Sequence, residues 1–366
     1  MQNIFIHSMG TLRIILALLV VFSHLGYPLG IKLIGPKLAV QTFYIISGFY
    51  MALVLSSKYK NLKYGTFIGN RILRLWPAYL VVLILTAFIS LIFGYFTQDY
   101  LALNSFITYY NRLDLVTLTS LSIINFTLFF QDLILFLSVD EHSHLTLNRM
   151  LDLNKLQLYK FMLVPQSWTL ALELMFYLIS PWLVRLKLKS ICILMSFSLL
   201  IRVVLAFYGF SEDPWDYRFF PSELIFFLAG ILMFRISKFK IFHQENIFYS
   251  ICLVLVVMSL ILQFYPTLIA KIIYLSAVAI AIPILFEKTK LLHWDRKIGE
   301  LSYPIYISHF LFIFLGQHLF QTYSKNSYYI FVIAMTVVFS IIIVIYLDPR
   351  IDRLRVKRIE NSKNGV

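Results

Sequence analysis

The sequence predicts an all-α integral membrane protein with about ten transmembrane helices and one additional apolar segment, re-entrant or surface-lying. Three observations carry that expectation. Of the 366 residues, 60% are hydrophobic and 14% are charged, with a mean hydropathy of +0.80, a balance that excludes an ordinary soluble domain. Apolar runs of the roughly 20 residues needed to cross hydrocarbon recur along the chain. Lys and Arg gather in a few of the short connections, as cytoplasmic loops do. That placement also argues against nucleic acid as the partner of the +14 net charge, because the cations alternate with apolar runs and membrane orientation accounts for them.

In order, the runs are 11–27, 38–56, 76–97, 115–138, 168–186, 189–209, 219–236, 247–265, 269–286, 302–322 and 327–347. The first lacks a small-residue cleavage site, so a retained span is preferred to a signal peptide. Basic residues test the count. Segments 57–75, 183–190, 235–246, 287–300 and 348–366 hold 21 of the 32 Lys and Arg residues. If every run crossed, 57–75 and 183–190 would lie on opposite faces. If 115–138 does not cross, all five segments share one face, and Asn125, Gln131 and Asp132 need not meet lipid. Ten crossings follow, with both termini cytoplasmic in an inner or plasma membrane. Segment 98–167 becomes one long outer-face insertion, either a lid or acceptor platform or a poorly ordered loop. Residues 1–347 form the transmembrane domain. A basic cytoplasmic tail, 348–366, then lies on anionic headgroups or acts as a solvated stop-transfer anchor. Cys192 and Cys252 fall inside apolar runs and read as small buried hydrophobes.

Titratable side chains within spans are costly, so each is a candidate for function. Arg13 and His24 lie eleven residues apart, about three turns and roughly 16 Å along a helix, and only about 20° apart around its axis. Arg13 suits a channel entry or a snorkelling anchor, and His24 suits a general base. In Asn70 to Pro77, Arg71 and Arg74 share a face if the stretch is helical, and two guanidinium forks suit phosphates. The same residues suit an orientation signal, with Trp76 at the interface and Pro77 starting the helix. Trp168 to Pro181 brings Glu173 well inside an apolar run, with Tyr177 beside it, to orient His24, to pair with an arginine or to contact acceptor hydroxyls. His309, within Ser302 to His309, is a second intramembrane His, or one bonded to a backbone carbonyl. Arg218, beside Asp213 and Asp216, contacts an acceptor or pairs with a carboxylate.

In order and content these segments resemble the membrane-bound acyltransferase-3 family. Arg13 and His24 match its first-helix motif, and Phe43 to Phe49 its Ser-Gly-Phe signature. Asn70 to Pro77 is similar to its basic motif, with Arg71 and Arg74 at the paired-arginine positions. Trp168 to Tyr177 resembles its Trp-Ser-Leu block, with Thr169 in place of Ser; Phe226 to Leu232 and Ser302 to His309 resemble later blocks. The resemblance implies O-acylation of a polysaccharide or lipid-linked glycan from a cytoplasmic acyl-coenzyme A donor, commonly acetyl, with no bound cofactor and no metal. Some members append a soluble esterase-like domain; this chain is expected to act alone or with a separate partner.

On that basis Arg71 and Arg74 hold the donor phosphates, Arg13 stands at the channel entry, and His24 acts as general base or transient acyl carrier. Glu173 orients the imidazole, and Arg218, Trp168, Tyr177 and His309 contact the acceptor. The main rival is a transporter or flippase of a lipid-linked saccharide that uses the same charged residues as a translocation path. A non-catalytic scaffold or sensor is the third reading.

Overall fold

The computed structural model describes residues 8–30, 32–140, 143–149, 155–237, 245–320 and 325–364. Lys238 and Lys240 of the basic segment 235–246 therefore lie outside the described residues. All ten apolar runs expected to cross are helical. In chain order the helices begin with α1 (Gly10–His24), α2 (Gly35–Ser56) and α3 (Tyr64–Thr97). The insertion follows, with α4 (Asn104–Tyr109), α5 (Leu115–Thr127), α6 (Gln131–Ile134) and strands β1 (Leu137–Val139), β2 (Leu145–Leu147) and β3 (Leu156–Gln157). Then come α7 (Trp168–Leu183), α8 (Leu188–Phe207), α9 (Phe220–Ile236), α10 (Glu245–Phe264), α11 (Leu268–Thr289), α12 (His293–Glu300), α13 (Ser302–Leu319), α14 (Lys325–Ile342) and α15 (Asp348–Lys363).

Seven of the described helical stretches are long and apolar enough to cross a membrane: α2, α3, α8, α10, α11, α12 with α13, and α14 with α15. The remaining three expected spans, α1, α7 and α9, have 15, 16 and 17 residues. Burial grades the bundle. The apolar stretch of α2 is 78% buried and that of α10 only 6%, so α2 is central and α10 peripheral. Cys192, on outward-facing α8, is exposed and Cys252 on α10 only partly covered, because neither peripheral helix has neighbours on all sides; the expectation that both are buried is corrected.

The third helix starts at Tyr64, well before the apolar run at 76, and continues through Pro77 for 34 residues. At 1.5 Å per residue that is roughly 50 Å, longer than the hydrocarbon core. Its basic first third is therefore a rigid extension of the span, and Pro77 is an interior residue rather than a helix start. Proline is tolerated there where neighbouring groups cover the bond it cannot make.

Segment 115–138 is not one continuous helix. Helix α5 has 13 residues, ends at Leu128 in the left-handed region, and presents Leu115, Val116, Ile123 and Phe126 outward. Asn125 of α5, with Gln131 and Asp132 of α6, turns inward instead. Asn125 Nδ2 donates to Leu121 O (2.9 Å) and Phe161 O (3.0 Å), and Asn125 Oδ1 accepts from Leu163 N (3.0 Å). Gln131 Nε2 donates to Tyr79 OH (2.8 Å), and Asp132 is buried. Beyond it, β1 pairs antiparallel with β2 and β3 in the order β2-β1-β3, with Ser138 opposite Thr146 and Gln157.

Two glycine contacts set the interhelix distances. A Cβ on Gly48 of α2 would lie 2.0 Å from Phe227 O, and one on Gly230 of α9 2.0 Å from Ile45 O, so the two backbones touch as only small residues permit. Phe227 then stacks between Tyr44 and Phe176, at 4.5 and 4.2 Å between centroids. At the start of α1, fully buried Asp295 of α12 accepts from Gly10 N (2.7 Å), Thr11 N (2.9 Å) and Thr11 Oγ1 (2.8 Å). The carboxylate satisfies orphan N–H groups and faces the positive end of the helix dipole. The tail does not trail away. After a π-helical turn at Ile343–Leu347, α15 packs along the start of α3, where Asn70 Nδ2 donates to Arg355 O (3.1 Å), and Arg355 and Ile359 are buried.

Candidate active site

A cleft of about 1260 Å³, open mouth included, runs between α1, α2, α3, α7 and α13. Its lining includes Arg13, Lys58, Arg71 and Arg74, and a single carboxylate among the described residues, Glu173. The sequence places these charges on four separate elements; the extension of α3 below its apolar part is what brings Arg71 and Arg74 to one wall.

Each charge is held by specific neighbours. Arg13 is not a snorkelling anchor: it is 7% exposed, and its Nη2 donates to Ser302 Oγ at 2.8 Å, while Ser302 Oγ donates to Gly299 O at 2.7 Å. Arg71 is 3% exposed, and its guanidinium lies over the rings of Tyr59, Phe67 and Tyr177 at 5.6, 5.8 and 5.9 Å. Those faces attract a cation and offer no acceptor. Its Nε has no hydrogen-bond partner among the described residues, which is uncommon for a buried donor. Lys58, just beyond α2, has its ammonium pulled down to about 7 by burial and then by the Arg355 and Arg71 charges beside it. Glu173 accepts from Ser47 Oγ (2.9 Å) and from the Tyr177 hydroxyl. Tyr177 thus lines the cleft beside the arginines.

The cleft lining includes Thr169 and Tyr306, whose hydroxyls lie 2.9 Å apart. Next to Tyr306, whose ring centroid is 6.1 Å from that of His309, two histidines meet. His24 Nδ1 and His309 Nε2 are 3.1 Å apart, with the rings inclined by 20°. His309 is fully buried and His24 keeps accessible surface. His24 therefore bonds His309 and not Glu173, correcting the expectation that Glu173 orients the imidazole: the carboxylate is turned toward Ser47 and Tyr177 instead.

A third group lies on the far side. The Arg218 guanidinium stacks over Trp168 (4.6 Å) and Tyr217 (4.9 Å) and forms a two-pronged pair with Asp213, at 2.5 and 2.7 Å. It lies within electrostatic reach of His24. Trp168 is thus an Arg218 neighbour and not a cleft residue, although it is only five residues from Glu173. Deeper, fully buried Glu223 is held by Arg202 (2.5 Å) and Gln41 (3.1 Å), and Lys37 pairs with Asp216.

Sequence reasoning left several of these unmarked. Arg202 stands in the middle of an apolar run and Glu223 near the start of another, so both carried the signal of an intramembrane charge. Lys58 looked like one orientation signal among many. Ser47, Tyr306 and Asp295 are ordinary by type, and only their partners, distant in sequence, single them out.

Comparison with known proteins shows the family. A family model described as an acyltransferase domain matches residues 6–345. An uncharacterized protein of Aquifex aeolicus (strain VF5) is 22% identical over 202 residues, covering 52% of this chain and 89% of that protein. No solved structure matches.

Proposed function

The chain belongs to the membrane-bound acyltransferase-3 family, and we propose that it moves an acyl group, commonly acetyl in this family, from cytoplasmic acyl-coenzyme A to a hydroxyl of a cell-surface polysaccharide or its lipid-linked precursor. We read its ten apolar helices as ten crossings of the inner membrane, with both termini cytoplasmic. The observation that carries the reading is the cleft wall: a buried arginine with an unsatisfied Nε, two further arginines and a lysine, opposed by one carboxylate. Such a surface suits a polyanionic donor.

In this mechanism Lys58, Arg71 and Arg74 hold the donor phosphates, and the thioester arm runs past Arg13 toward Thr169 and Tyr306. His24 takes the proton from the acceptor hydroxyl while its oxygen attacks the thioester carbonyl. The C–S bond breaks, the coenzyme leaves as thiolate, and the proton on His24 returns to it. Transfer through an acyl group on His24 balances equally, with His24 deacylated by the same hydroxyl. Glu173 neutralises part of the arginine charge, so that the cleft binds anions without collapsing on repulsion. Arg218 with Trp168 offers a stacking and hydrogen-bonding platform for a sugar on the outer side.

The test is the O-acetyl content of the host's surface polysaccharide, by NMR, in a deletion strain carrying wild type or well-expressed His24→Ala. Acetate lost on deletion and restored by wild type alone supports the reading. Restoration by the variant removes His24 as an essential catalyst. Glycan that fails to reach the surface on deletion, with no thiol release from acetyl-coenzyme A, points to the flippase.

A further inference from the structure

The histidine pair contains more than proximity. His309 Nδ1 lies 2.7 Å from the backbone carbonyl oxygen of Tyr306. A carbonyl oxygen only accepts, so that nitrogen carries the hydrogen. A neutral imidazole has one N–H and one lone pair, so His309 Nε2 is the acceptor. Its neighbour at 3.1 Å is His24 Nδ1, and the contact is a hydrogen bond only if His24 donates. The same count then leaves the lone pair of His24 on Nε2. The Tyr306 carbonyl on α13 therefore acts on the tautomer of a ring on α1 through a chain of two bonds, alongside the Val20 carbonyl of α1, which also bonds the His24 ring.

We propose that His309 is a positioning residue that locks His24 in its Nδ1–H form and so presents Nε2 as the nitrogen that takes the acceptor's proton. The inference rests on His24 being the base of the proposed acyl transfer, and it adds which atom acts and what holds it. Burial supports the division of labour: His309 is enclosed on all sides while His24 keeps accessible surface. When Nε2 takes the hydroxyl proton, His24 becomes a cation, and its Nδ1–H bond to His309 strengthens as a charge-assisted bond. The Tyr306 carbonyl dipole stands behind it. In a water-served triad a carboxylate fills this place. Within a membrane bundle a carboxylate would cost more to bury than a neutral imidazole. A second imidazole backed by a helix carbonyl orients the base and adds no net charge.

Two substitutions separate orientation from packing. Gln at 309 reaches far enough to place an acceptor oxygen where Nε2 stood. Asn reaches only as far as Nδ1, so it keeps the bond to Tyr306 O and removes the His309 acceptor from His24 Nδ1–H, leaving the Val20 carbonyl of its own helix. The experiment uses the full chain in lipid nanodiscs with ¹⁵N-labelled histidine, read by magic-angle-spinning NMR at mildly alkaline pH, with the His24 signals assigned by their loss in His24→Gln. Expected are a protonated Nδ1 and an unprotonated Nε2 for His24 in wild type and H309Q, and a mixture of tautomers in H309N. In acetyl transfer, H309N should lose about 10- to 100-fold in kcat with KM for the donor unchanged, and H309Q should recover most of it. A wild-type His24 protonated on Nε2, or an H309N spectrum identical to wild type, overturns the inference. If the expected spectra appear in a protein that releases no thiol from acetyl-coenzyme A, the tautomer lock stands and the acyl-transfer reading falls.

Discussion

Substituting Gly48 with Ala probes the packing that builds the cleft. An added Cβ would lie 2.0 Å from Phe227 O, whereas ordinary contact begins near 3.4 Å, so α2 and α9 must part locally by about 1.4 Å. The obstacle is backbone on a helix and not the end of a flexible side chain, which puts the cost at the upper end of overpacking, about 3 kcal/mol, or a fall of roughly 4 °C in Tm for a chain of this length. The neighbouring residue, Ser47, donates to Glu173 at 2.9 Å. A shift of that size takes the bond beyond hydrogen-bonding range and lets the carboxylate turn, and misplacement on the order of 1 Å costs about 100-fold in rate. The assay is thermal unfolding of detergent-solubilised protein together with donor turnover. Gly65→Ala is the control, because a Cβ there has no atom within 4 Å. Gly48→Ala with the Tm and turnover of that control would refute the reasoning.

Three further outcomes follow from particular contacts. Arg71→Met should weaken coenzyme A binding about 10- to 100-fold, the loss of one charge-assisted bond, measured by calorimetry, with the Tm little changed or raised because a buried donor is removed. Lys58 has its proton affinity lowered to about 7 from an ordinary 10.5, so between those values the folded chain has shed a proton that the unfolded chain keeps, and stability rises with pH across that window. A bound anion restores the proton, so donor affinity should fall as pH rises above 7, with proton uptake visible in buffers of different ionisation enthalpy; Lys58→Met should flatten that dependence. Asp295→Ala removes an acceptor of three hydrogen bonds at the start of α1 and should cost about 2–4 kcal/mol, with Asn recovering part of it in thermal unfolding.

What the sequence made legible was governed by the range of the physics involved. Hydropathy is local, so the ten apolar runs could be read directly, and Asn125, Gln131 and Asp132 marked 115–138 as unlike the others. Ends were harder. The stretch from Tyr64 to Leu75 holds Arg71 and Arg74 and precedes a proline, so it fell outside the apolar run counted from 76, yet it is the first third of α3. Charge alone made residues 348–366 look solvated, whereas Arg355 and Ile359 are buried against α3. The strands near 138, 146 and 157 are too short to show an alternation. Within the site, Arg13, Arg71, Arg74, Glu173 and Tyr177 line one cleft, so Tyr177, read from the sequence as an acceptor contact, stands with the arginines. The partner of His24 was hidden because 285 residues separate it from His309, and no spacing rule reaches that far.

The most direct measurement of the central claim uses purified full-length chain in proteoliposomes, given acetyl-coenzyme A labelled in the acetyl group and a membrane-bound glycan acceptor. The account predicts thiol release matched mole for mole by label on the glycan, both abolished in His24→Ala and both requiring higher donor concentration in Arg71→Met. Glycan that crosses the bilayer with no thiol released, or equal transfer by His24→Ala, would contradict it.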